Sequence, residues 1–257
     1  MILSVVIPVF NERHTLGLIL AEVSHALPSV TKEIIIIDDC STDGTRQWLE
    51  QNFPLGLRIA SSLVVGNDEN IILAAPRGAG DITIKPLFHA QNKGKGGAVQ
   101  TGLAAISGDV VIIQDADLEY DPQNWAGMYQ LIVDRKVADV VYGSRFFGNP
   151  HRSLYFHHYL ANKIISLLFN FLYNQTLSDI EVCYKMFTRE VMESLAITCN
   201  DFGFEVQISA QICLARKWRI YELGIDYYGR TYDAGKKINW KDGVKALWYI
   251  LKYRVSN

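Results

Sequence analysis

Four acidic residues lie at alternate positions of the stretch QDADLEYDP, which covers residues 114–122: Asp115, Asp117, Glu119 and Asp121. Asp115 and Asp117 form a D-x-D pair whose side chains would stand about 6.6 Å apart on an extended chain, because each residue adds about 3.3 Å. That distance is too wide for both carboxylates to chelate one ion directly. Mg²⁺ takes one or two carboxylates and completes its shell with water and substrate phosphates. The pair therefore predicts a divalent cation between one acid and a diphosphate, where it would offset charge on a leaving group.

The last acid, Asp121, has a different predicted role. It precedes Pro122, and proline suits the first position of a helix, so Asp121 is a candidate N-cap. Four carboxylates on one face of a buried strand would also cost much free energy. We therefore expect the strand to end near Gln114 and the chain to turn there, so that the acids diverge.

The acids follow one of four apolar, β-branched runs that are typical of buried strands. The runs are LSVVIPV (3–9), EIIIIDD (33–39), GDVVIIQ (108–114) and ADVVYGSR (138–145). Apolar residues at helical spacing lie between them, the first set after Asn11, which is a candidate N-cap. Buried strands that alternate with helices predict a mostly parallel sheet covered on both faces. Ligands bind at the carboxyl ends of such strands, where Asp38, Asp39 and the D-x-D pair lie.

Three regions depart from this pattern. Residues 55–90 contain short β-like runs broken by turn residues, which predict an inserted meander or hairpin at the edge of the sheet. The segment 160–174 is apolar nearly all round, and 243–255 has the pattern of a basic amphipathic helix. Both could lie in a membrane interface, and 160–174 could instead pack in the core. Because no linker rich in Pro, Gly or Ser occurs, we expect one domain over 1–257.

The charge is unevenly distributed along the chain. The net charge of −2 gives no nucleic-acid signature, so we expect no nucleic-acid partner. From Arg230 onward there are seven Lys or Arg against two acids, which favours either an anionic partner or a solvated basic helix face. The sequence has no apolar run of 18 residues and no signal-peptide pattern, so we expect neither a spanning helix nor secretion.

Five motifs occur in the order found in glycosyltransferase family 2, which has the GT-A fold. They are VVIPVFNE (5–12), IIIIDDCSTDGT (34–45), NKGKGGAVQTGL (92–103), GDVVIIQDADLEYDP (108–122) and DVVYGSRF (139–146). Three further stretches resemble the dolichyl- and polyprenyl-phosphate mannose and glucose synthases: CYKMF (183–187), FGFEVQI (202–208) and YGRTYDAGKKINWKDGVKAL (228–247). The resemblance covers nearly the whole chain except about 55–88. It implies an α/β, Rossmann-like, mostly parallel sheet flanked by helices, with amphipathic helices at the C-terminus.

The resemblance also implies which residues bind the nucleotide sugar. They are Pro8, Phe10, Glu12, Asp39, Lys95 and Asp115, with Ser144 and Lys236 as further candidates beside the phosphates. Asp117 would be the main ligand of Mg²⁺ or Mn²⁺. Glu119 would be a second ligand, although relatives often have Gln there. The glycines of the 92–103 motif either cradle phosphate or permit close packing before a helix.

The implied catalytic set comprises Asp115, Asp117, Arg145, Glu205 and Arg230. Arg145 and Arg230 match basic residues that hold phosphate, for which the planar guanidinium is suited. Arg145 could instead form a structural ion pair, and Arg230 lies in a glycine-containing segment that could act as a lid. Glu205 could orient a loop or serve as a base.

The resemblance implies an inverting, metal-dependent enzyme that moves a hexose from GDP-mannose or a UDP-sugar to polyprenyl or dolichyl phosphate. Residues 150–257 would form the acceptor and membrane-interface region, at the cytoplasmic face of a membrane, through peripheral contact or a membrane partner protein. One alternative is a family 2 enzyme that uses a hydroxyl acceptor in polysaccharide or metabolite glycosylation, which would need a general base. Another is a non-catalytic subunit that binds nucleotide sugars.

Overall fold

The structure is a computed structural model that describes residues 1–53, 57–59, 62–65, 71–74, 80–147, 155–230 and 240–255. Its strands are β1 (Ile2–Val9), β2 (Thr31–Asp38), β3 (Leu57–Ile59), β4 (Ser62–Val65), β5 (Ile71–Ala74), β6 (Ile82–Phe88), β7 (Val110–Ile113), β8 (Val140–Ser144), β9 (Lys185–Thr188) and β10 (Ile220–Gly224). Its α-helices are α1 (Leu16–His25), α2 (Thr45–Asn52), α3 (Gly94–Leu103), α4 (Trp125–Tyr129), α5 (Phe156–Tyr173), α6 (Arg189–Glu193), α7 (Phe204–Ala215) and α8 (Trp240–Val255).

Eight of these strands form one mixed sheet in the order β10-β8-β9-β7-β1-β2-β6-β3. The pairs β1–β2, β1–β7, β2–β6 and β8–β10 are parallel. Strand β9 runs antiparallel between β7 and β8, and β3 is antiparallel to β6 at one edge. The predicted α/β fold with a mostly parallel sheet is therefore confirmed.

The register of the central strands places their carboxyl ends side by side. Val9 of β1 is opposite Asp38 of β2, and Val6 of β1 is opposite Ile113 of β7. The acids that follow β2 and β7 therefore reach the same edge of the sheet. The apolar residues of β1, β2 and β7 are buried, as expected for strands covered on both faces.

The opposite, amino-terminal edge is held by a buried carboxylate, Glu33 of β2. It accepts hydrogen bonds from the Ser4 hydroxyl at 2.5 Å, the Ser107 hydroxyl at 2.7 Å and the Gly108 amide at 2.8 Å, and it pairs with Lys85 at 2.6 Å. Burial alone would raise the pKa of Glu33, but the bonds from Lys85, Ser4 and Ser107 outweigh it and lower the pKa from 4.5 to about 2. These contacts join three central strands to the turn before β7.

Residues 55–90 contribute to two sheets in their described part. Strands β4 and β5 form an antiparallel pair apart from the main sheet. Strand β6, by contrast, is a regular parallel neighbour of β2. Strands β3 and β6 therefore belong to the main sheet, and β4 and β5 are the described part of the region that lies apart from it.

The two N-cap predictions had opposite outcomes. Asp121 is confirmed as a cap: its carboxylate accepts from the Gln123 amide at 2.8 Å, at the start of a short 3-10 turn, Pro122–Asn124. Asn11 is not a cap. Its backbone has φ 55°, and its side-chain oxygen accepts from the Thr42 amide at 2.8 Å. Asn11 thus joins the loop after β1 to the loop after β2.

Helices α5 and α8 pack against each other and against the core. Phe169 and Tyr173 of α5 are buried, and the Tyr173 hydroxyl donates to the carbonyl of Ile250 in α8 at 2.9 Å. The opposite side of α5 exposes apolar residues: Leu167 is 70% and Phe171 is 82% exposed. The segment 160–174 therefore packs in the core with one face and presents an apolar face outward. Within the described ranges, no helix combines the length and the hydropathy that crossing a bilayer requires.

Candidate active site

A cleft of about 1070 Å³ opens at the carboxyl edge of the sheet. Eleven sequence-predicted site residues line it: Pro8, Phe10, Glu12, Asp39, Lys95, Asp115, Asp117, Glu119, Arg145, Glu205 and Arg230. Ser144 does not line it, because its buried hydroxyl bonds to Ser178 at 2.6 Å. Lys236 lies outside the described residues. The structure thus brings together side chains from the ends of four strands, β1, β2, β7 and β8, and from helices α3 and α7.

Asp39, at the end of β2, is committed to shaping the loop before α3. Its two carboxylate oxygens accept from the amides of Lys93 and Gly94, both at 2.8 Å, and one also contacts His89 Nδ1 at 2.7 Å. His89 in turn bonds through Nε2 to the Thr101 hydroxyl at 2.9 Å. Asp39 therefore acts on the cleft by fixing the start of α3, which carries Lys95.

The glycines at the start of α3 permit close packing against the 199–201 loop. Gly94 has φ +81°, and a Cβ there would lie 2.5 Å from the carbonyl oxygen of Asn200. A Cβ on Gly96 would lie 2.2 Å from the Cys199 carbonyl oxygen. Of the two interpretations of these glycines, the structure supports close approach of α3 to the 199–201 loop.

The D-x-D pair carries two carboxylates with different partners. Asp115 is 2.7 Å from Lys95 Nζ, so its charge is balanced by a lysine of α3. Asp117 is 2.7 Å from Arg230 Nη2. Burial, followed by the charges of Asp115 and Glu119, raises the pKa of Asp117 from 3.8 to about 7, although Arg230 opposes the shift. Negative charge thus exceeds positive charge around Asp117.

Asp117 therefore fits a divalent cation. Among the residues that the structure describes, no group of three or more His, Cys, Asp or Glu side chains is placed to hold a metal ion alone. Mg²⁺ and similar ions need only one or two protein carboxylates when a substrate supplies phosphate oxygens. Asp117 would hold such an ion together with a diphosphate, with Asp115 beside it.

Glu119 anchors the segment that delivers Arg230. One carboxylate oxygen accepts from the Tyr227 hydroxyl at 3.0 Å, and the other accepts from the Arg230 amide at 2.7 Å. The backbones of the two segments are also bonded, since the Glu119 carbonyl accepts a hydrogen bond from the Tyr228 amide at 2.9 Å. Both oxygens of Glu119, predicted as a second metal ligand, are thus engaged within the protein.

Arg145 lines the cleft and forms a double ion pair. Its Nε and Nη2 each donate to Asp179 at 2.7 Å, and Nη2 also contacts the Asn162 side chain at 3.2 Å. Its guanidinium lies 5.4 Å from the centre of the Tyr227 ring. The ion-pair interpretation of Arg145 is therefore supported, and the pair fixes the plane of a cation that lines the cleft.

Glu205, at the start of α7, is buried between two lysines. One carboxylate oxygen forms an ion pair with Lys185, and the other is 3.8 Å from Lys95 Nζ. Lys185 begins β9 and its side chain is fully buried. No pattern in the sequence indicates this pairing, because the two residues are 20 positions apart and CYKMF has the pattern of a buried strand.

Glu181 is a cleft residue that the sequence analysis did not single out. It lines the cleft, and it forms no hydrogen bond or ion pair within the part of the chain that the structure describes. Burial raises the pKa of Glu181 from 4.5 to about 7, with Arg145 opposing and Asp179 adding to the shift. No periodicity marks this position, which lies in an irregular stretch before β9.

The cleft also has apolar residues in its lining. Helix α5 contributes Phe156, Ile164 and Ile165, and helix α8 contributes Val244 and Leu247. One cleft is thus lined both by carboxylates and cations and by apolar side chains from two packed helices. Such a cleft suits a molecule with a charged end and a long apolar part.

Comparison with known proteins gives a family and a fold. The family described as Glycosyl transferase family 2 matches residues 4–62 and 67–196. An undecaprenyl-phosphate 4-deoxy-4-formamido-L-arabinose transferase of Serratia proteamaculans is 26% identical over 240 residues, which cover 92% of this chain and 64% of that protein. A dolichol-phosphate mannosyltransferase of Pyrococcus furiosus is 28% identical over 146 residues, 56% of this chain and 33% of that protein. The chain thus spans less than two thirds of the length of each of these curated relatives.

Solved structures of glucosyl-3-phosphoglycerate synthase from Mycobacterium tuberculosis share the fold. The complex with phosphoglyceric acid has a TM-score of 0.65 at 18% identity and covers 98% of this chain and 79% of that one. A complex with Mn²⁺, UDP-glucose and phosphoglyceric acid has a TM-score of 0.67 at 16% identity, with the same coverage. The predicted GT-A fold is therefore confirmed. Because the family match spans more than half of the chain, the protein belongs to glycosyltransferase family 2.

Proposed function

We propose that this glycosyltransferase moves a hexose from a nucleotide sugar to a polyprenyl phosphate at a membrane surface. The observation that carries the proposal is one cleft that is lined both by Asp115 and Asp117 and by apolar side chains of α5 and α8. A nucleotide diphosphate suits the charged residues and a prenyl chain suits the apolar ones. The names of the two curated relatives, which specify undecaprenyl phosphate and dolichol phosphate, support the same acceptor class.

Asp115, Asp117 and Arg230 would bind the diphosphate end of a GDP- or UDP-linked donor. Mg²⁺ or Mn²⁺, when bound, supplies positive charge to the departing diphosphate. Arg230 Nη2 already lies 2.7 Å from Asp117, so this guanidinium would stand beside the same phosphates and bind them through its planar fork. Pro8, Phe10 and Glu12 would line the base and ribose, since they border the same cleft.

A phosphate acceptor would use another cation of the same cleft. A phosphate monoester is anionic at neutral pH, so it needs positioning and charge compensation rather than a base. Arg145, held rigid by Asp179, offers a fixed positive charge there. Attack from the side opposite the leaving diphosphate would invert the anomeric carbon in one displacement.

Contact with the membrane would come from the exposed sides of α5 and α8. Phe171 and Leu167 of α5 and Trp248 of α8 are exposed apolar residues. Lys252 and Arg254 lie in the last turn of α8, where they would meet anionic headgroups. The protein would bind peripherally at the cytoplasmic face, alone or with a membrane partner protein.

The test measures nucleotide release from UDP- and GDP-linked hexoses with Mn²⁺, before and after undecaprenyl phosphate is added in vesicles. Turnover that depends on the lipid phosphate is expected, and Asp117→Asn should abolish it. Two further arms supply 3-phosphoglycerate or a free sugar as acceptor. Turnover with either of these, combined with none on the lipid, would overturn the proposal.

A hydroxyl acceptor is the second candidate, and Glu181 favours it. A general base works best when its pKa lies near the operating pH, and burial raises the pKa of Glu181 to about 7. If Glu181 takes a proton from a sugar hydroxyl, Glu181→Gln will abolish turnover while donor binding persists. With a lipid phosphate acceptor, the same variant will retain turnover, so one substitution separates the two candidates.

A further inference from the structure

Lys185 is a fully buried charge to which the proposed function gives no role. Its Nζ forms an ion pair with Glu205, donates to the carbonyl of Val182 and lies 5.4 Å from the centre of the Tyr142 ring. A buried charge without a partner is strongly destabilising. Lys185 and Glu205 are therefore a matched pair, and losing either one leaves the other uncompensated.

The pair connects to the cleft through Lys95. The second oxygen of Glu205 lies 3.8 Å from Lys95 Nζ, and that same Nζ lies 2.7 Å from Asp115. Four charges of alternating sign thus run from the core to the cleft in the order Lys185, Glu205, Lys95, Asp115. The inner two side chains are the more buried, with 0% exposure at Lys185 and 7% at Glu205, against 19% at Lys95 and 18% at Asp115.

Lys95 has two carboxylates within reach and lies closer to Asp115. Whether Lys95 pairs with Asp115 or with Glu205 depends on how much negative charge Glu205 retains, because charges interact strongly where water is excluded. In the intact chain, Lys185 neutralises Glu205. Without Lys185, Glu205 would attract Lys95 away from Asp115, and a carboxylate of the cleft would lose its partner and its fixed orientation.

We propose that Lys185 is a positioning residue for nucleotide binding: it neutralises Glu205 and thereby keeps Lys95 on Asp115. The inference rests on the proposed function in one respect, namely that Asp115 contacts the donor nucleotide. It also gives Glu205 a role in positioning, in place of the base that the sequence left open.

The test compares nucleotide affinity in three variants by calorimetric titration of the full chain with UDP and with GDP in the presence of Mn²⁺. Lys185→Met keeps the length of the side chain and removes its charge. We expect it to weaken binding of the nucleotide that the wild type prefers by about tenfold, a coupling typical of residues in one ion-pair network. Lys185→Gln, which retains a donor for the Val182 carbonyl, serves the same comparison where Lys185→Met does not fold.

The double variant Lys185→Met/Glu205→Gln provides the discriminating result. It removes the unpaired negative charge, so Lys95 should return to Asp115 and affinity should recover to within about threefold of wild type. A purely structural role for Lys185 predicts the reverse, since two substitutions in the core would disturb the protein at least as much as one.

Lys32→Met is the matched control, because Lys32 is also a buried lysine. It lies on β2, is 1% exposed and donates to the Ser24 carbonyl at 3.2 Å, at the amino-terminal edge of the sheet. We expect it to lower the melting temperature while nucleotide affinity stays unchanged.

Three results would overturn the positioning role. They are unchanged affinity in Lys185→Met, an equal loss of affinity in Lys32→Met, and a double variant that binds as weakly as the single one. A wild-type protein that binds neither UDP nor GDP would instead overturn the proposed function, and this inference with it.

Discussion

The two edges of the central sheet both hold buried carboxylates, and they balance them in opposite ways. At the amino-terminal edge, Glu33 receives hydrogen bonds from Ser4, Ser107 and Lys85, and its pKa falls to about 2. At the carboxyl edge, Asp117 is buried beside other acids, and its pKa rises to about 7. The first edge satisfies its charge within the protein. The carboxyl edge keeps an excess of negative charge, which a bound cation would neutralise. The amino-terminal edge is therefore structural, whereas the carboxyl edge is suited to binding a cation.

The largest expected effect is on turnover when Asp117 is changed. Asp117→Asn keeps the size of the side chain and removes the charge, and we expect kcat/KM to fall at least about 100-fold. The melting temperature should hold or rise, because burial and like charges disfavour the ionised form of Asp117 in the free protein. Nucleotide release and thermal unfolding measure the two effects. A large loss of stability together with intact turnover would contradict the contrast between the edges.

Glu33→Gln should give the opposite result. The amide no longer neutralises Lys85, and its NH₂ group meets backbone donors at Ser107 and Gly108, so we expect unfolding to cost about 3 kcal/mol less. Affinity for UDP or GDP should stay as in wild type, because Glu33 lies at the far edge of the sheet. Denaturant unfolding measures the loss of stability, and nucleotide titration measures the affinity. Weakened nucleotide binding at unchanged stability would show that the edges are not independent.

The pH dependence of stability sharpens the same point. The pKa of Glu33 is lowered from 4.5 to about 2 in the folded state, so its contribution is present well above pH 4.5. That contribution, at most about 3 kcal/mol, disappears as the pH falls toward 2. The difference in unfolding free energy between wild type and Glu33→Gln should therefore shrink from pH 7 to pH 3. A difference that stays constant over this range would contradict the lowered pKa.

The smallest expected effect concerns the apolar surface beside the carboxyl edge. Replacing the exposed Phe171 of α5 by Ser should weaken cosedimentation with anionic vesicles about tenfold. The transfer of one apolar side chain from water into the membrane contributes a free energy that corresponds to roughly that change in affinity. The melting temperature should not change. Tyr221→Ser is the control, because Tyr221 is 43% exposed on β10, away from α5 and α8. An equal loss of vesicle binding in both variants would show that the exposed face of α5 has no particular role in membrane contact.

Features that depend on near neighbours in the sequence were the predictable ones. The apolar runs gave the central strands, and Asp121 before Pro122 gave a cap that the structure confirms. Asn11 was predicted as a cap by the same local logic, yet it bonds to Thr42, 31 residues away. A capping rule that uses only neighbouring residues cannot predict this contact, because the parallel register of β1 and β2 places the loop after β1 beside the loop after β2.

The site shows the same limit. The D-x-D pair and the motif glycines pointed to the correct edge of the sheet, because strand ends can be located from apolar runs. The partners of each carboxylate could not be located in this way: Glu119 pairs with Tyr227 across 108 positions, and Arg145 pairs with Asp179 across 34. Such pairs are fixed by the order of strands, and the antiparallel placement of β9 between β7 and β8 had no signature in the sequence.

That position of β9 has a consequence for how the chain assembles. In the described sheet, β7 and β8 both pair with β9 and not with each other. A chain that ends before residue 185 already carries Asp115, Asp117 and Arg145, but β8 has no neighbouring strand in it, because β9 and β10 come later in the sequence. Strand β9 (Lys185–Thr188) joins β8 to the central strands, and its first residue is the lysine that pairs with Glu205. The same short strand therefore connects the two parts of the sheet and supplies one charge of the buried pair.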